Sequence, residues 1–214
     1  MNLAKNLIQE LMPRCEGCGK PSPSFLCTSC LSIERSKSSF YFGPVLRNSW
    51  DQAHISFDYD SKVIQNWLWR IKEKSQAERL QDLKFEHLPP NMLECSYDAI
   101  VAFPGDPTRS SRRLFDVADY LGRRLAKLLG QNFFSGAFVR RAFLGTLKDF
   151  GVNERRAFIT KLVSLRSGFL PSGRLLLVDD VMTSGASLEW GAQLLKTRAN
   201  RVDVYVLARK FISK

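Results

Sequence analysis

Histidine is nearly absent from this chain: 214 residues hold only His54 and His87, well separated, and nothing in the sequence pairs either with a nucleophile. Both read as ordinary residues. No apolar run approaches the ~20 residues that a bilayer-spanning helix needs, so no membrane insertion is expected. Low-complexity tracts are also lacking, and the composition is that of a globular protein. The opening residues, MNLAKNLIQELMPRC, hold Glu10 within a short amphipathic pattern and have no small-residue cleavage site. They read as a helix over 1–12 rather than a signal peptide, and a cytoplasmic location is expected. Outside one cluster, cysteine is limited to Cys95, which reads as a small buried hydrophobe.

Acidic residues are scarce in the middle of the chain. Residues 109–174 hold 14 basic and 4 acidic side chains, net +10, against net −1 for residues 1–108 and +2 for 175–214. An excess packed into under a third of the chain suggests an electropositive face for a polyanion: a diphosphate, a nucleotide or nucleic acid. A solvated basic surface is the plainer alternative.

What is present at the N-terminal end is Cys15, Cys18, Cys27 and Cys30, spaced C-x2-C-x8-C-x2-C. Each C-x2-C pair can turn tightly enough to aim two sulfurs at one point, and two pairs complete the tetrahedron that Zn²⁺ requires. Gly17 and Gly19 flank Cys18, where the turn needs a permissive backbone. Disulfides are disfavoured because the cytosol keeps thiols reduced. Four thiolates leave no open position, so the zinc is expected to be structural, replacing a core that so short a segment cannot build.

The patterning predicts an α/β protein. Residues 14–32 read as a zinc ribbon and the polar run 32–39 as a connector, giving expected domains at 1–38 and 39–214. Phe, Tyr and Val around Gly43-Pro44 over 40–59 predict two short strands, possible partners in a hairpin. Asp60 or Ser61 is positioned to cap a helix with Val63, Ile64, Trp67, Leu68 and Ile71 on one face. Trp67 falls on that apolar face and reads as core, whereas Trp69 stays open as a base-stacking candidate. Strands are predicted at 98–103, 174–178 and 202–207, and helices at 110–129 and 186–197. Leu114, Val117, Ala118, Leu121, Leu125 and Leu128 lie on the inner face of the first helix. Strand–helix–strand spacing implies parallel pairing, with ligands beyond the C-terminal strand ends.

Beyond the 174–178 strand comes Asp179-Asp180-Val181-Met182-Thr183-Ser184-Gly185-Ala186-Ser187-Leu188. Two carboxylates at a strand end suit sugar hydroxyls or a divalent cation. The turn after them opens a helix, whose free N–H groups and positive dipole end suit a phosphate. Thr183, Ser184 and Ser187 add hydroxyl donors. A phosphate beside two hydroxyls describes a ribose 5-phosphate. The same residues could also form an ordinary N-cap turn.

This run resembles the diphosphate-sugar-binding signature of type I phosphoribosyltransferases. With the cysteine cluster in front, the whole chain resembles the ComF family of competence-associated proteins, which combine a zinc finger with a phosphoribosyltransferase-like domain. The resemblance implies a parallel-sheet type I phosphoribosyltransferase-like fold. It implies phosphoribosyl diphosphate, or a related sugar phosphate, as ligand, with Mg²⁺ entering on that ligand. Asp179 and Asp180 would take the ribose 2- and 3-hydroxyls, and Thr183 to Ser187 (Thr183, Ser184, Gly185, Ala186, Ser187) the 5-phosphate, with Val181 and Met182 between. Phe103, Pro104 and Gly105 would lie by the pyrophosphate. Arg109, Arg112 and Arg113 would stabilise the leaving group, with Lys148, Arg155 or Arg156 on a mobile loop as weaker candidates. Arg140 and Arg141 fall where the family has a basic stretch. Three departures separate the chain from the familiar pattern. Thr183 stands where purine-salvage members carry a third acidic residue. Ala102-Phe103-Pro104-Gly105 and Arg113-Leu114-Phe115-Asp116-Val117 replace the usual pyrophosphate-side runs, and the family's usual Gln near Lys148 is absent. Three functions follow as expectations: a phosphoribosyltransferase with an unknown acceptor, a ligand-binding protein without turnover, or a single-stranded DNA-binding module. The resemblance also implies a role in DNA uptake and natural transformation, with a competence helicase as partner.

Overall fold

The computed structural model describes residues 13–37, 49–108, 110, 114–142, 152–168 and 171–210, with backbone alone at 36–37 and 152–156. The expected helix at 1–12 lies outside these residues. So do the first expected strand near 40–48 and the side chains of Arg109, Arg112, Arg113 and Lys148.

Five strands make one wholly parallel sheet in the order β1 (Gln52–Asp58), β7 (Arg201–Arg209), β6 (Arg174–Met182), β2 (Ala99–Ala102) and β3 (Phe133–Phe134). A short antiparallel pair, β4 (Phe138–Arg140) with β5 (Val163–Leu165), stands apart. Six α-helices are described: α1 (Thr28–Lys37), α2 (Lys62–Glu73), α3 (Pro90–Leu93), α4 (Val117–Leu129), α5 (Val152–Leu162) and α6 (Ala186–Lys196). No described helix is long and apolar enough to cross a membrane.

The sheet is covered on both faces, as its continuous apolar strands require. Successive strand residues point to opposite faces. Accordingly Leu176 and Val178 of β6 pack with Ile64, Trp67, Leu68 and Ile71 of α2 and with Leu121 and Leu125 of α4. Leu175 and Leu177 pack on the other side with Leu188, Ala192 and Leu195 of α6 and Ile159 of α5. Trp67 is fully buried and Trp69 is 51% exposed, as the helical spacing of α2 implies. Ser61 caps that helix, its hydroxyl accepting from Ile64 N at 3.5 Å.

Several expectations are corrected. β1 pairs in parallel with β7, and the strand expected to pair with it in a hairpin lies outside the described residues. The run read as a connector from residue 32 is helical to Lys37; Ser32 and Ile33 are exposed, while Leu31 and Glu34 are buried. The α4 helix begins at Val117, not 110, because Asp116 caps it by accepting from Ala118 N and Asp119 N. Leu114 is thereby excluded from the apolar face: it is 91% exposed with φ +65°. Arg155 and Arg156 lie in α5 rather than on a mobile loop. The β6 strand continues past Val178 to Met182, so the acidic pair is part of the strand and not of the turn.

The ribbon has no core of its own. Cys15, Phe25, Leu26 and Leu31 belong to the same buried cluster as α2 and α4. The Phe25 ring stacks on Trp67 at 4.0 Å and 9°, meets Phe57 edge-on at 5.7 Å, and lies 4.6 Å from His87. Glu16 receives Arg70 of α2 at 2.9 Å and Arg79 at 2.5 Å. Burial and the nearby Arg35 and Lys84 hold the His87 imidazole down to about 4, so it is a neutral core residue.

Candidate functional site

The four clustered cysteines converge: their sulfurs all lie within 4.8 Å of one another. Cys18 Sγ and Cys27 Sγ are 3.8 Å apart. A tetrahedron with metal–sulfur bonds of ~2.3 Å has edges of about 3.8 Å, so the spacing is that of a Zn²⁺-sized soft cation. Gly17 is required at the first knuckle, because a Cβ there would lie 2.8 Å from Cys30 Sγ. Burial raises the Cys15 thiol, but N–H donors from Cys27, Cys18 and Gly17 outweigh it and bring the thiol down to about 7. Burial and the neighbouring sulfurs push Cys30 up to about 12. Four thiolates together therefore need a cation among them.

The second cluster stands at the C-terminal edge of the sheet. β2 ends level with Val178, and Phe103 N donates to Val178 O at 2.8 Å. The Phe103–Gly105 turn therefore emerges beside Asp179. Asp180 N donates to Asp179 Oδ1 at 2.8 Å, which ties the pair together. Burial, then the charge of Asp180, pushes the Asp179 carboxyl up to about 8, with Lys72 opposing. Lys72, at the end of α2, pairs with Asp180 at 2.8 Å. Asp180 follows Leu176 and Val178 at the two-residue period, and that period carries it toward the α2 layer.

The turn after the strand opens α6. Gly185 sits at the N-cap with φ +74° and no side-chain cap, and the first intrahelical bond runs from Glu189 N to Gly185 O at 2.8 Å. The N–H groups before Glu189 therefore have no acceptor within the helix. Thr183 is exposed, and Ser184 and Ser187 are half-buried. Met182 and Ala186 are buried at 6% and 8% exposure, so only their backbone can face a ligand. Phe103 is likewise buried, against Phe138, and offers its backbone. Ser49 clamps the helix start through Glu189, its N–H and hydroxyl donating at 3.0 and 2.6 Å. Trp50 lies over Gly185, where a Cβ would be 3.4 Å from the indole.

Three residues of this edge were not legible in the motif. Lys72 is one. Asp116 is another: its Oδ2 accepts from Gly105 N at 2.6 Å while its Oδ1 caps α4, and burial holds its carboxyl above the ordinary range. Arg140 was placed only in a basic stretch; it donates to Pro104 O at 2.8 Å and brings a guanidinium to the Phe103–Gly105 turn.

Near the N-terminal strand ends, His54, Cys95 and Asp203 come together, so His54 is not isolated in space. Tyr97 Oη is 3.0 Å from His54 Nε2, and Arg174 donates to Cys95 Sγ at 3.0 Å and to Asp203 at 2.6 Å. Burial raises the Asp203 carboxyl, but His54, Arg174 and Arg201 together hold it below the usual range. With two guanidinium groups already on Asp203, this is a buried ion-pair network and repels a cation.

No family model matches the chain. Among curated proteins it is 28% identical over 228 residues to competence protein F of Haemophilus influenzae, across 98% of this chain and 93% of that one. The chain is a homologue of that protein. The alignment to competence protein F runs through both the cysteine ribbon and the β6–α6 turn, since it spans nearly all of each chain. Among solved structures, one described as the allosteric regulatory enzyme of purine biosynthesis superposes with a TM-score of 0.38 and 13% identity. That superposition covers 63% of this chain and 25% of the enzyme.

Proposed function

We propose that the chain binds a phosphorylated ribose, with phosphoribosyl diphosphate as the type ligand, at the C-terminal edge of its parallel sheet. The carrying observation is the juxtaposition of the Asp179–Asp180 pair with the N-terminus of α6, whose N-cap Gly185 supplies no side-chain cap. Carboxylates accept hydrogen bonds from the 2- and 3-hydroxyls, and the open N–H groups of the turn take the 5-phosphate. The ribbon is assigned a structural Zn²⁺, with Cys15, Cys18, Cys27 and Cys30 as its ligands. Magnesium, in this reading, would enter with the ligand, because the Asp180 carboxylate is engaged by Lys72.

Transfer chemistry would break the bond from C1 to pyrophosphate as an acceptor atom attacks C1. Arg140, held on Pro104, is in position to offset charge on that leaving group. Thr183 stands where a base-assisting acid would be needed for purine salvage, so binding, not purine transfer, is the assigned activity. The relative's name supports a role in competence. In that setting the partners are incoming single-stranded DNA and a helicase in the cytoplasm. The net +10 of residues 109–174 favours such a DNA contact, which must weaken steeply with salt.

Phosphorus NMR of phosphoribosyl diphosphate tests the site. The 5-phosphate resonance should shift and broaden with the protein present. An unchanged 5-phosphate signal beside folded protein would refute the assignment.

A further inference from the structure

The Asp180 carboxylate beside a bound phosphate places like charges at one strand end, and such a site needs a cation. The chain brings its own. Lys72 reaches the acidic pair from α2, outside the signature run, and places its ammonium 2.8 Å from Asp180 Oδ2. Its side chain is 21% exposed and that of Asp180 is 20%, so the pair is largely withdrawn from solvent. The position is fixed from behind: the preceding residue, Ile71, is fully buried, and α2 is pinned by Trp67 on Phe25 and by Arg70 on Glu16. A divalent metal bridging these carboxylates would have to break that ion pair and bind at ~2.0–2.1 Å in octahedral geometry. A lysine needs no such geometry: it carries three donors on a flexible stem, so it can keep Asp180 and still meet a sugar oxygen.

We infer that Lys72 is the resident cation of the sugar site, so that a ribose 5-phosphate group lacking a pyrophosphate docks there without any divalent metal. This rests on the sugar-phosphate reading and deepens it, naming a ligand class, the ribose monophosphates, that needs no magnesium.

The test is a titration of the intact, metal-loaded chain with ribose 5-phosphate in magnesium-free buffer, then with excess magnesium chloride. Wild-type affinity should change less than about twofold on adding magnesium. Lys72→Met removes the charge and keeps the length. It should weaken binding in magnesium-free buffer by about tenfold or more, the worth of one charge-assisted hydrogen bond. Magnesium should restore part of that loss, as should Lys72→Arg without magnesium. Thermal melting of each variant separates loss of the cation from loss of fold. Wild type that binds only with magnesium, or Lys72→Met that binds as wild type without it, overturns the inference. No binding by folded wild type under either condition overturns the sugar-phosphate reading itself, and the inference with it.

Discussion

Phe25→Ala is the perturbation that asks most about how this chain is built. Phe25 lies between the two cysteine pairs, is 2% exposed, and its ring packs on Trp67, Phe57 and His87, all outside the ribbon. Truncating a buried Phe costs about 3–5 kcal/mol, and a stacked aromatic pair adds about 0.5–1.5 kcal/mol beyond area. The neighbours cannot collapse easily into the gap, because Trp67 is itself fully buried and held by α2. A loss of about 4 kcal/mol is thus expected, a large share of the ~5–15 kcal/mol that holds a domain together. Urea unfolding should be followed by circular dichroism, which reads the helices of the α/β domain, and in parallel by metal release to a chromogenic chelator. Both midpoints should fall together, by about 1.3–2 M at an m-value of ~2–3 kcal/mol/M. A dichroism midpoint that stayed in place while metal release alone moved earlier would show that the ribbon is energetically separate, and would refute the shared-core argument.

Cys18→Ser should release the metal and lower the melting temperature, whereas Cys95→Ser, outside the cluster, should keep one metal per chain; elemental analysis of both proteins decides it. Asp179→Asn should change how stability depends on pH. The Asp179 carboxyl is raised to about 8 from an ordinary 3.8, so the native state holds a proton the unfolded state has lost, and wild-type stability should fall as pH rises from about 4 to 8. The Asn variant escapes that loss, so its melting temperature should match wild type at about pH 4 and exceed it at pH 8. A variant less stable than wild type at pH 8 would contradict the assigned cause.

What was legible in the sequence was local. The cysteine pairs and the β6–α6 unit each occupy one short run, so spacing alone positioned four sulfurs, two carboxylates and a helix start. The buried alternation of β6 and the stripe of α2 were equally readable, because one face of each element meets the core. What was not legible is set by distance along the chain. Lys72 meets Asp180 only because β6 carries that residue toward the layer in which α2 lies. Asp116 looked like part of a helix and instead bridges the α4 N-terminus to Gly105. The helical run to Lys37 was misread because, among its described side chains, only Leu31 and Glu34 are buried, too few to print an apolar period. His54 looked solitary for the same reason, since Cys95 and Asp203 arrive from the segment before β2 and from β7 respectively.

The central claim is that the acidic pair and the turn after it bind a ribose phosphate. Calorimetric titration with phosphoribosyl diphosphate and Mg²⁺, on wild type and on an Asp179→Asn/Asp180→Asn variant, tests it most directly. Saturable binding by wild type that is lost in a folded, metal-loaded double variant is the predicted result; no binding by either protein, or equal binding by both, would contradict it.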